Sequence, residues 1–171
     1  MHLLYVNLKL TIYKFTTNNE KKQGFFVNFL LGFKTIICKV NELVARNESI
    51  EWGVLRKGSV SITGTEYVPE IPNESKVKEE IEKILNIENT TERAIEYMLY
   101  GMRSQLFWDG NKRTSTICAN KIMIENGNGI IKVPDNKLEE FTTLLSEFYS
   151  TNNKEKIKQF IFDNCIDGLI L

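Results

Sequence analysis

Between two segments with helical apolar spacing, the chain reads Gln105-Leu106-Phe107-Trp108-Asp109-Gly110-Asn111-Lys112-Arg113-Thr114. Glycine at a helix start lets the backbone come close to a ligand. The first amides of a helix have no partner within it, and the helix dipole favours anions there, so a phosphate can dock around Gly110. The donors Asn111, Lys112 and Arg113 add to this site, and Asp109 can hold Mg²⁺ beside phosphates. These residues predict an anion-binding helix start, although a plain capped helix explains them about as well.

Apolar stripes on both sides of this stretch predict further helices. Upstream, Asn89 with Glu92 three residues later resembles a capping box. Downstream, a helix runs from about Lys112 to Glu125, and the glycines after it end it. Helical spacing also covers the second half of Phe25–Asn47, Ser75–Leu85, the segment that Asp135 can cap, and the segment through Ile157 and Cys165. We therefore expect a mainly α fold.

The segment Trp52–Pro72 has a different composition, with Gly53, Gly58, Gly64 and two prolines. Within it, Ser59-Val60-Ser61-Ile62-Thr63 alternates β-branched residues with serine. Alternation that ends at a glycine turn predicts a β-hairpin. A second alternating run, Leu4–Ile12, predicts a short strand near the start of the chain, and the polar run Thr16–Gln23 predicts a loop.

Charge and composition exclude several classes of protein. Lys+Arg and Asp+Glu both number 22, so a basic excess typical of general nucleic-acid binders is lacking. The most apolar stretch, Phe25–Cys38, is shorter than the about 20 residues that span a bilayer. Three widely spaced cysteines, Cys38, Cys118 and Cys165, predict buried reduced thiols. We expect a cytoplasmic protein that binds neither membranes nor nucleic acid in general.

The stretch Gln105–Thr114 resembles the signature of the Fic/Doc family, His-x-Phe-x-(Asp/Glu)-Gly-Asn-(Gly/Lys)-Arg, and matches it from Phe107 to Arg113 except at free positions. Upstream, the run Leu55-Arg56-x-Gly58-x-Val60-x-Ile62-x-Gly64-Thr65-x-Tyr67-x-Pro69 resembles the family's flap hairpin. The resemblance covers roughly residues 41–168. It implies a Fic-type helical bundle with a small β-hairpin flap, and we expect a Fic/Doc-like domain at 41–171 after a divergent segment at 1–40.

The resemblance implies a role for each matched residue. Asp109 would ligate Mg²⁺, and Gly110 with its neighbours would form an anion hole for ATP or another nucleotide. Asn111, Lys112 and Arg113 would hold phosphate oxygens, while Phe107 would anchor the loop in the core. A protein target would dock by strand addition on the flap residues Val60, Ile62, Gly64, Thr65 and Tyr67. Relatives move AMP, or in the Doc branch a phosphoryl group, from ATP onto a protein hydroxyl.

The first position of the motif is Gln105, where active relatives have the histidine that takes the proton from the attacking hydroxyl. A glutamine amide does not gain or lose protons near neutral pH, so it cannot act as general base. Losing general-base help typically costs about 10²–10⁴ in rate. The only histidine of the chain is His2, far from the motif in sequence.

Other departures concern the transferred group and regulation. Lys112 stands where AMP-transferring relatives usually have glycine and the Doc branch has lysine, and Thr116 replaces a second arginine of many AMP-transferring members. No segment matches the relatives' inhibitory pattern Ser/Thr-x-x-x-Glu-Gly/Asn, so inhibition would come from a separate partner or be unneeded. Three functions remain open: a working ATP-dependent transferase, a nucleotide-binding pseudoenzyme, and a peptide-interaction module.

Overall fold

The computed structural model describes residues 36–168, all of which belong to one compact unit of the chain. The predicted strand Leu4–Ile12, the loop Thr16–Gln23 and His2 lie outside the described residues. The division of the chain at residue 40 stays a prediction.

The described part is mainly helical, as predicted. Helix α1 covers residues 36–45, and the later helices are α2 (Glu74–Leu85), α3 (Thr90–Ser104), α4 (Asn111–Glu125), α5 (Leu138–Thr151) and α6 (Glu155–Asn164). The predicted start of α3 is confirmed, because the Asn89 side chain accepts a hydrogen bond from the Glu92 amide at 2.9 Å. The predicted Asp135 cap is wrong, because Asp135 lies inside a short 3₁₀ turn after Pro134 and makes no capping bond.

Helices α3 and α4 lie at the centre of the core. They approach closely where Gly101 faces Ser115, since a Cβ at Gly101 would lie 2.3 Å from the Ser115 hydroxyl oxygen. Apolar side chains of α5 and α6 are also buried in the core and include Phe141, Leu145, Phe148, Ile157, Phe160 and Ile161. The chain segment between α3 and α4 is therefore held at both ends by central helices.

The sheet of the described residues consists of two short antiparallel strands, β1 (Ile130–Ile131) and β2 (Ile166–Asp167), paired Ile130 with Asp167 and Ile131 with Ile166. Asn120 of α4 bonds both the amide and the carbonyl of Ile131, at 2.6 and 3.0 Å. The sequence Ile130-Ile131-Lys132-Val133 after α4 predicts a short extended piece, and β1 confirms it. The sheet that it forms lies far in sequence from the predicted hairpin.

The predicted β-hairpin is wrong. Within described residues 54–72 no strand forms, and the predicted flap residues Val60, Ile62, Gly64, Thr65 and Tyr67 lie in turn and irregular backbone. A turn does occur at Gly64, whose φ is +84°, and Ile62, predicted as a docking residue, is buried. We call residues 58–69 the flap segment.

Side-chain contacts, and not strand pairing, hold the flap segment in place. The Ser146 hydroxyl donates to the Gly64 carbonyl at 3.2 Å, and the hydroxyls of Thr65 and Ser150 lie 3.0 Å apart. The Arg103 guanidinium lies 3.7 Å from the Tyr67 ring centroid and donates to its hydroxyl. Contacts with α3 and α5 thus fix the segment without strand pairing between its two arms.

Two remaining predictions concern membranes and cysteines. Among residues 36–168, no helix is long and apolar enough to cross a membrane. Cys118 and Cys165 are buried as predicted, whereas Cys38 is only partly buried. Cys38 lies on α1, and its helix faces the core through the neighbouring Ile37 instead.

Candidate functional site

The loop between α3 and α4 begins and ends at residues with left-handed backbone. Gln105 closes α3 with φ 45° and ψ 59°, and Gly110 precedes α4 with φ 74°. A Cβ at Gly110 would lie 3.1 Å from side-chain carbons of both Val44 and Ala45 on α1. Position 110 therefore requires glycine for two reasons: its φ is positive, and α1 lies close against it.

The first turn of α4 presents backbone donors. The Thr114 amide is the first to bond backward, donating to the Gly110 carbonyl at 2.8 Å. The amides of Asn111, Lys112 and Arg113 make no hydrogen bond with any part of the chain between residues 36 and 168. Such a helix start can take an anion, because its amides point outward and the dipole is positive there.

Asn111 closes the loop with its side chain. It is buried, its carboxamide oxygen accepts from the Phe107 amide at 2.9 Å, and its nitrogen donates to the Phe107 carbonyl at 2.8 Å. The same nitrogen donates to the Gln105 side-chain oxygen at 3.1 Å. Phe107 itself is buried in the core. In this arrangement the Asn111 side chain supports the loop, while its backbone amide faces the helix start.

Gln105 has both of its polar side-chain atoms engaged. The nitrogen donates to the Met102 carbonyl at 2.6 Å, and the oxygen accepts from Asn111. The amide is thereby fixed in orientation, and neither atom can take up a proton near neutral pH. The described residues contain no histidine that could take its place.

Asp109 lies exposed just before Gly110. One carboxylate oxygen accepts from the Gly110 amide at 2.5 Å, which leaves the other oxygen open. No group of three or more acidic, histidine or cysteine side chains that could hold a metal occurs in residues 36–168. Mg²⁺ is commonly bound by one or two carboxylates together with substrate phosphates and water. Asp109 fits that manner of binding and does not fit a metal held by the protein alone.

Arg113 is paired with Glu48, which follows α1. Both terminal guanidinium nitrogens donate to the Glu48 carboxylate, one of them at 3.3 Å. This hydrogen bonding raises the pKa of Arg113 and lowers the pKa of Glu48. Lys112 is exposed beside Arg113 and forms no ion pair within the described part of the chain. Both cations therefore lie at the start of α4, one of them already occupied by a carboxylate.

Asn41 of α1 supports the loop from outside and was missed by the sequence analysis. Its side chain is fully buried, donates to the Asp109 carbonyl at 2.8 Å and accepts from the Gly53 amide at 2.8 Å. The signal was present in the sequence, because Asn41 stands on one helical stripe with the buried Ile37 and Ala45. A polar residue in an apolar stripe indicates a buried hydrogen-bonding role.

The flap segment contacts the loop at its first residue, Gly58. A Cβ at Gly58 would lie 2.6 Å from the Cη2 atom of Trp108, so the indole packs directly on the glycine. The Trp108 ring nitrogen also donates to Glu51 at 3.4 Å. The structure thus brings Gln105, Asp109, Gly110, Asn111, Lys112 and Arg113 together, while the flap residues Thr65 and Tyr67 are bound toward α5 and α3.

The described residues thus form a helical protein whose two central helices are joined by a loop that leaves the first amides of α4 without hydrogen bonds within residues 36–168. The family model for the Fic/DOC family matches residues 34–123, which is more than half of the chain, and the chain belongs to that family.

Among solved structures, the chain is similar to the BepC protein, a VirB-translocated Bartonella effector protein from Bartonella tribocorum, determined with bound AMPPNP. The two share 15% sequence identity and a TM-score of 0.56 over 82% of each chain. At this identity the likeness shows a shared fold. No curated protein sequence matches the chain significantly.

Proposed function

We propose that this chain binds ATP or another nucleotide together with Mg²⁺ at the start of α4, as a Fic-like relative of protein AMP or phosphoryl transferases. The observation that carries the proposal is the set of open backbone amides at Asn111, Lys112 and Arg113, directly after the Asp109 carboxylate. Family membership and the AMPPNP bound to BepC support a nucleotide as the anion.

Each residue at the site has a distinct part in the proposal. The amides of α4 donate hydrogen bonds to a phosphate, and Lys112 and Arg113 add charge-assisted donors once the phosphate has displaced Glu48 from Arg113. Asp109 holds Mg²⁺, which supplies charge neutralisation for the phosphates when bound. Asn111 keeps the loop closed through Phe107.

The proposed transfer activity is weak or lost. A hydroxyl that attacks a phosphate needs its proton removed, and the group at the motif's first position is the Gln105 amide. Without a general base the rate falls by about 10²–10⁴. Asp109 cannot readily act as base while it ligates a metal, because metal binding requires its charged form and its open oxygen.

A second candidate is a regulator that binds nucleotide or peptide without catalysis, and the engaged Gln105 amide favours it. In either case we propose that a protein target docks on the flap segment. The arms of the segment form no ladder with each other, so backbone groups around Val60 remain for pairing with an added strand.

The test is calorimetric titration with ATP and Mg²⁺ of the unmodified protein, Asp109→Ala and Arg113→Ala. We expect Arg113→Ala to weaken binding about tenfold or more, since it removes charge-assisted hydrogen bonds. Asp109→Ala should weaken binding only when Mg²⁺ is present. Lys156→Ala and Glu140→Ala, exposed ion-pair residues on α6 and α5, serve as charge-matched controls and should leave binding unchanged.

Binding that both loop variants weaken and neither control changes supports the nucleotide site. No binding by a sample with native helical circular dichroism contradicts it and leaves the flap segment as the working surface. Binding that none of the variants changes places the nucleotide elsewhere on the chain.

A further inference from the structure

Arg56 lies just before the flap segment and is almost completely buried, with 1% of its surface exposed. Its guanidinium binds backbone carbonyls from three separate stretches of chain. Nε donates to Gln105 at 2.6 Å, Nη1 to Gly58 at 2.5 Å, and Nη2 to Glu70 at 2.6 Å. One side chain therefore joins both ends of the flap segment to the first residue of the motif loop.

The backbone of Arg56 adds to this connection, because its amide donates to the Leu106 carbonyl at 3.0 Å. Carbonyls at the end of a helix lack intrahelical partners, and cations are favoured there. Arg56 thus satisfies consecutive carbonyls at the end of α3, directly before Phe107. No carboxylate within residues 36–168 forms a salt bridge with it, and burial lowers its pKa.

The geometry needs arginine in particular. A guanidinium carries five donors in a rigid planar fork, whereas a lysine ammonium is one compact, strongly hydrated point. A lysine at position 56 cannot reach the carbonyls of Gln105, Gly58 and Glu70 together. The charge is retained in such a variant, but the connection between the loop and the flap segment is broken.

A second contact joins the same two elements. The Trp108 indole, within the motif loop, packs on Gly58, the residue whose carbonyl Arg56 binds. Displacement of the flap segment from the loop would expose this indole. Trp108 is consequently a built-in reporter of the arrangement that Arg56 holds.

We propose that Arg56 is a positioning residue, which fixes the Gln105–Gly110 loop and the flap segment relative to each other so that a nucleotide and a protein target meet one pre-arranged site. The effect on nucleotide affinity rests on the proposed function, whereas the arrangement itself can be tested without nucleotide.

The matched variants are Arg56→Lys and Arg103→Lys. Arg103 also holds the flap segment, through Tyr67, but its other bond goes to the Tyr149 carbonyl on α5 and not to the motif loop. Both substitutions are introduced into a Trp52→Phe background, so that Trp108 is the only tryptophan of the chain. Trp108 emission and ATP–Mg²⁺ affinity are measured at a temperature where circular dichroism shows native helix content.

We expect Arg56→Lys to shift Trp108 emission to longer wavelength and to weaken ATP–Mg²⁺ binding by about tenfold. Arg103→Lys should change affinity by less than about twofold. Unchanged emission in Arg56→Lys overturns the proposal, as does an equal loss of affinity in both variants. If the unmodified protein binds no nucleotide, the proposed function fails, and the emission result still decides the role of Arg56.

If Arg56→Lys does not fold, amide hydrogen exchange of the unmodified protein tests whether the loop and the flap segment are coupled. Addition of ATP and Mg²⁺ should slow exchange in residues 58–69 as well as in 105–113. Slower exchange confined to 105–113 overturns the coupling.

Discussion

Glu48 and Arg113 form a two-point ion pair between the end of α1 and the first turn of α4, with both guanidinium terminal nitrogens directed at one carboxylate. About half of each side chain is exposed, at 49% and 48%. A phosphate that binds the α4 amides competes with Glu48 for the same guanidinium. The resting ion pair therefore lowers the affinity of the proposed site by whatever free energy the pair contributes.

Replacing Glu48→Gln should strengthen ATP–Mg²⁺ binding. The pair is exposed and therefore weak, so we expect a gain in affinity of up to about fivefold that diminishes as salt screens the pair. Calorimetry at low and high salt measures it. Glu140→Gln removes a comparable exposed pair with Lys137 and should have no effect. Weaker binding by Glu48→Gln would mean that Glu48 helps to hold the ligand.

Gln105→His should create or raise transfer or self-modification. The backbone at 105 has φ 45°, a region in which histidine is more common than most residues, so the replacement fits the loop. A histidine there supplies the missing base, for a gain of about 10²–10⁴ in rate. Incorporation of labelled AMP or phosphate from ATP, detected by mass spectrometry, measures it.

The control for this gain is Gln105→His combined with Asp109→Ala, which should return activity to the starting level. A folded Gln105→His protein that binds ATP yet transfers nothing would show that the site lacks more than a base.

Local patterns predicted the helices and the motif loop well. The apolar stripe of α3 and the Asn89 start depend on neighbours within a few residues, which a sequence displays directly. The loop was recognisable because glycine and charged residues follow each other at a helix start. The chain's membership of the Fic/DOC family confirms the resemblance on which the site rests.

Long-range contacts were not predictable. Alternation at Val60 and Ile62 predicted a hairpin arm, but a local pattern cannot show that an arm lacks a strand partner. Arg56 and Asn41 bind atoms 49 and 68 residues away. Their burial is set by tertiary packing, which one sequence does not display.

Asn41→Leu should destabilise the fold and weaken nucleotide binding together. It leaves the partly buried Gly53 amide and Asp109 carbonyl without their side-chain partner, at a cost of about 2–4 kcal/mol. The melting temperature should fall by roughly 5–15 °C. Ile37→Val on the same helical stripe is the control and should cost about 1 kcal/mol with nucleotide affinity unchanged. Equal stability of Asn41→Leu and the unmodified protein would contradict this role for Asn41.

Gly58→Ala should cost about 1–3 kcal/mol, because its new Cβ meets the Trp108 ring at 2.6 Å. Trp108→Leu removes the ring atom involved, so the cost of Gly58→Ala should largely disappear in that background. Urea unfolding of the four proteins gives the coupling free energy.

Gly64→Ala separates steric overlap from backbone strain. At Gly64 a Cβ would meet nothing within 4 Å, but φ is +84°. Gly64→Ala should therefore cost about 1–2 kcal/mol of folding free energy both in the unmodified protein and in the Trp108→Leu background. If Trp108→Leu left the free-energy cost of Gly58→Ala unchanged, as expected for Gly64→Ala, the Gly58–Trp108 contact would be refuted.

Glu96 of α3 should make stability depend on pH. Burial raises its pKa, but hydrogen bonds from Lys154 at 2.5 Å and Lys158 at 2.6 Å outweigh burial, so its pKa in the folded protein lies below the ordinary 4.5. A lowered folded pKa means that this stabilisation is fully present above pH 4.5 and is lost as the pH falls through the folded value.

Glu96→Gln should therefore reduce stability at pH 7 by about 1–2 kcal/mol, because charge-assisted hydrogen bonds are lost. At pH 3 the variant and the unmodified protein should differ less, because the unfolded chain then takes up a proton at Glu96 and the stabilisation falls with the pH below 4.5. Denaturant unfolding at both pH values measures this difference. Glu140→Gln, exposed and paired only with Lys137, should change stability by less than about 0.5 kcal/mol at either pH. A constant difference between Glu96→Gln and the unmodified protein from pH 7 to pH 3 would show that packing, not charge, gives Glu96 its effect.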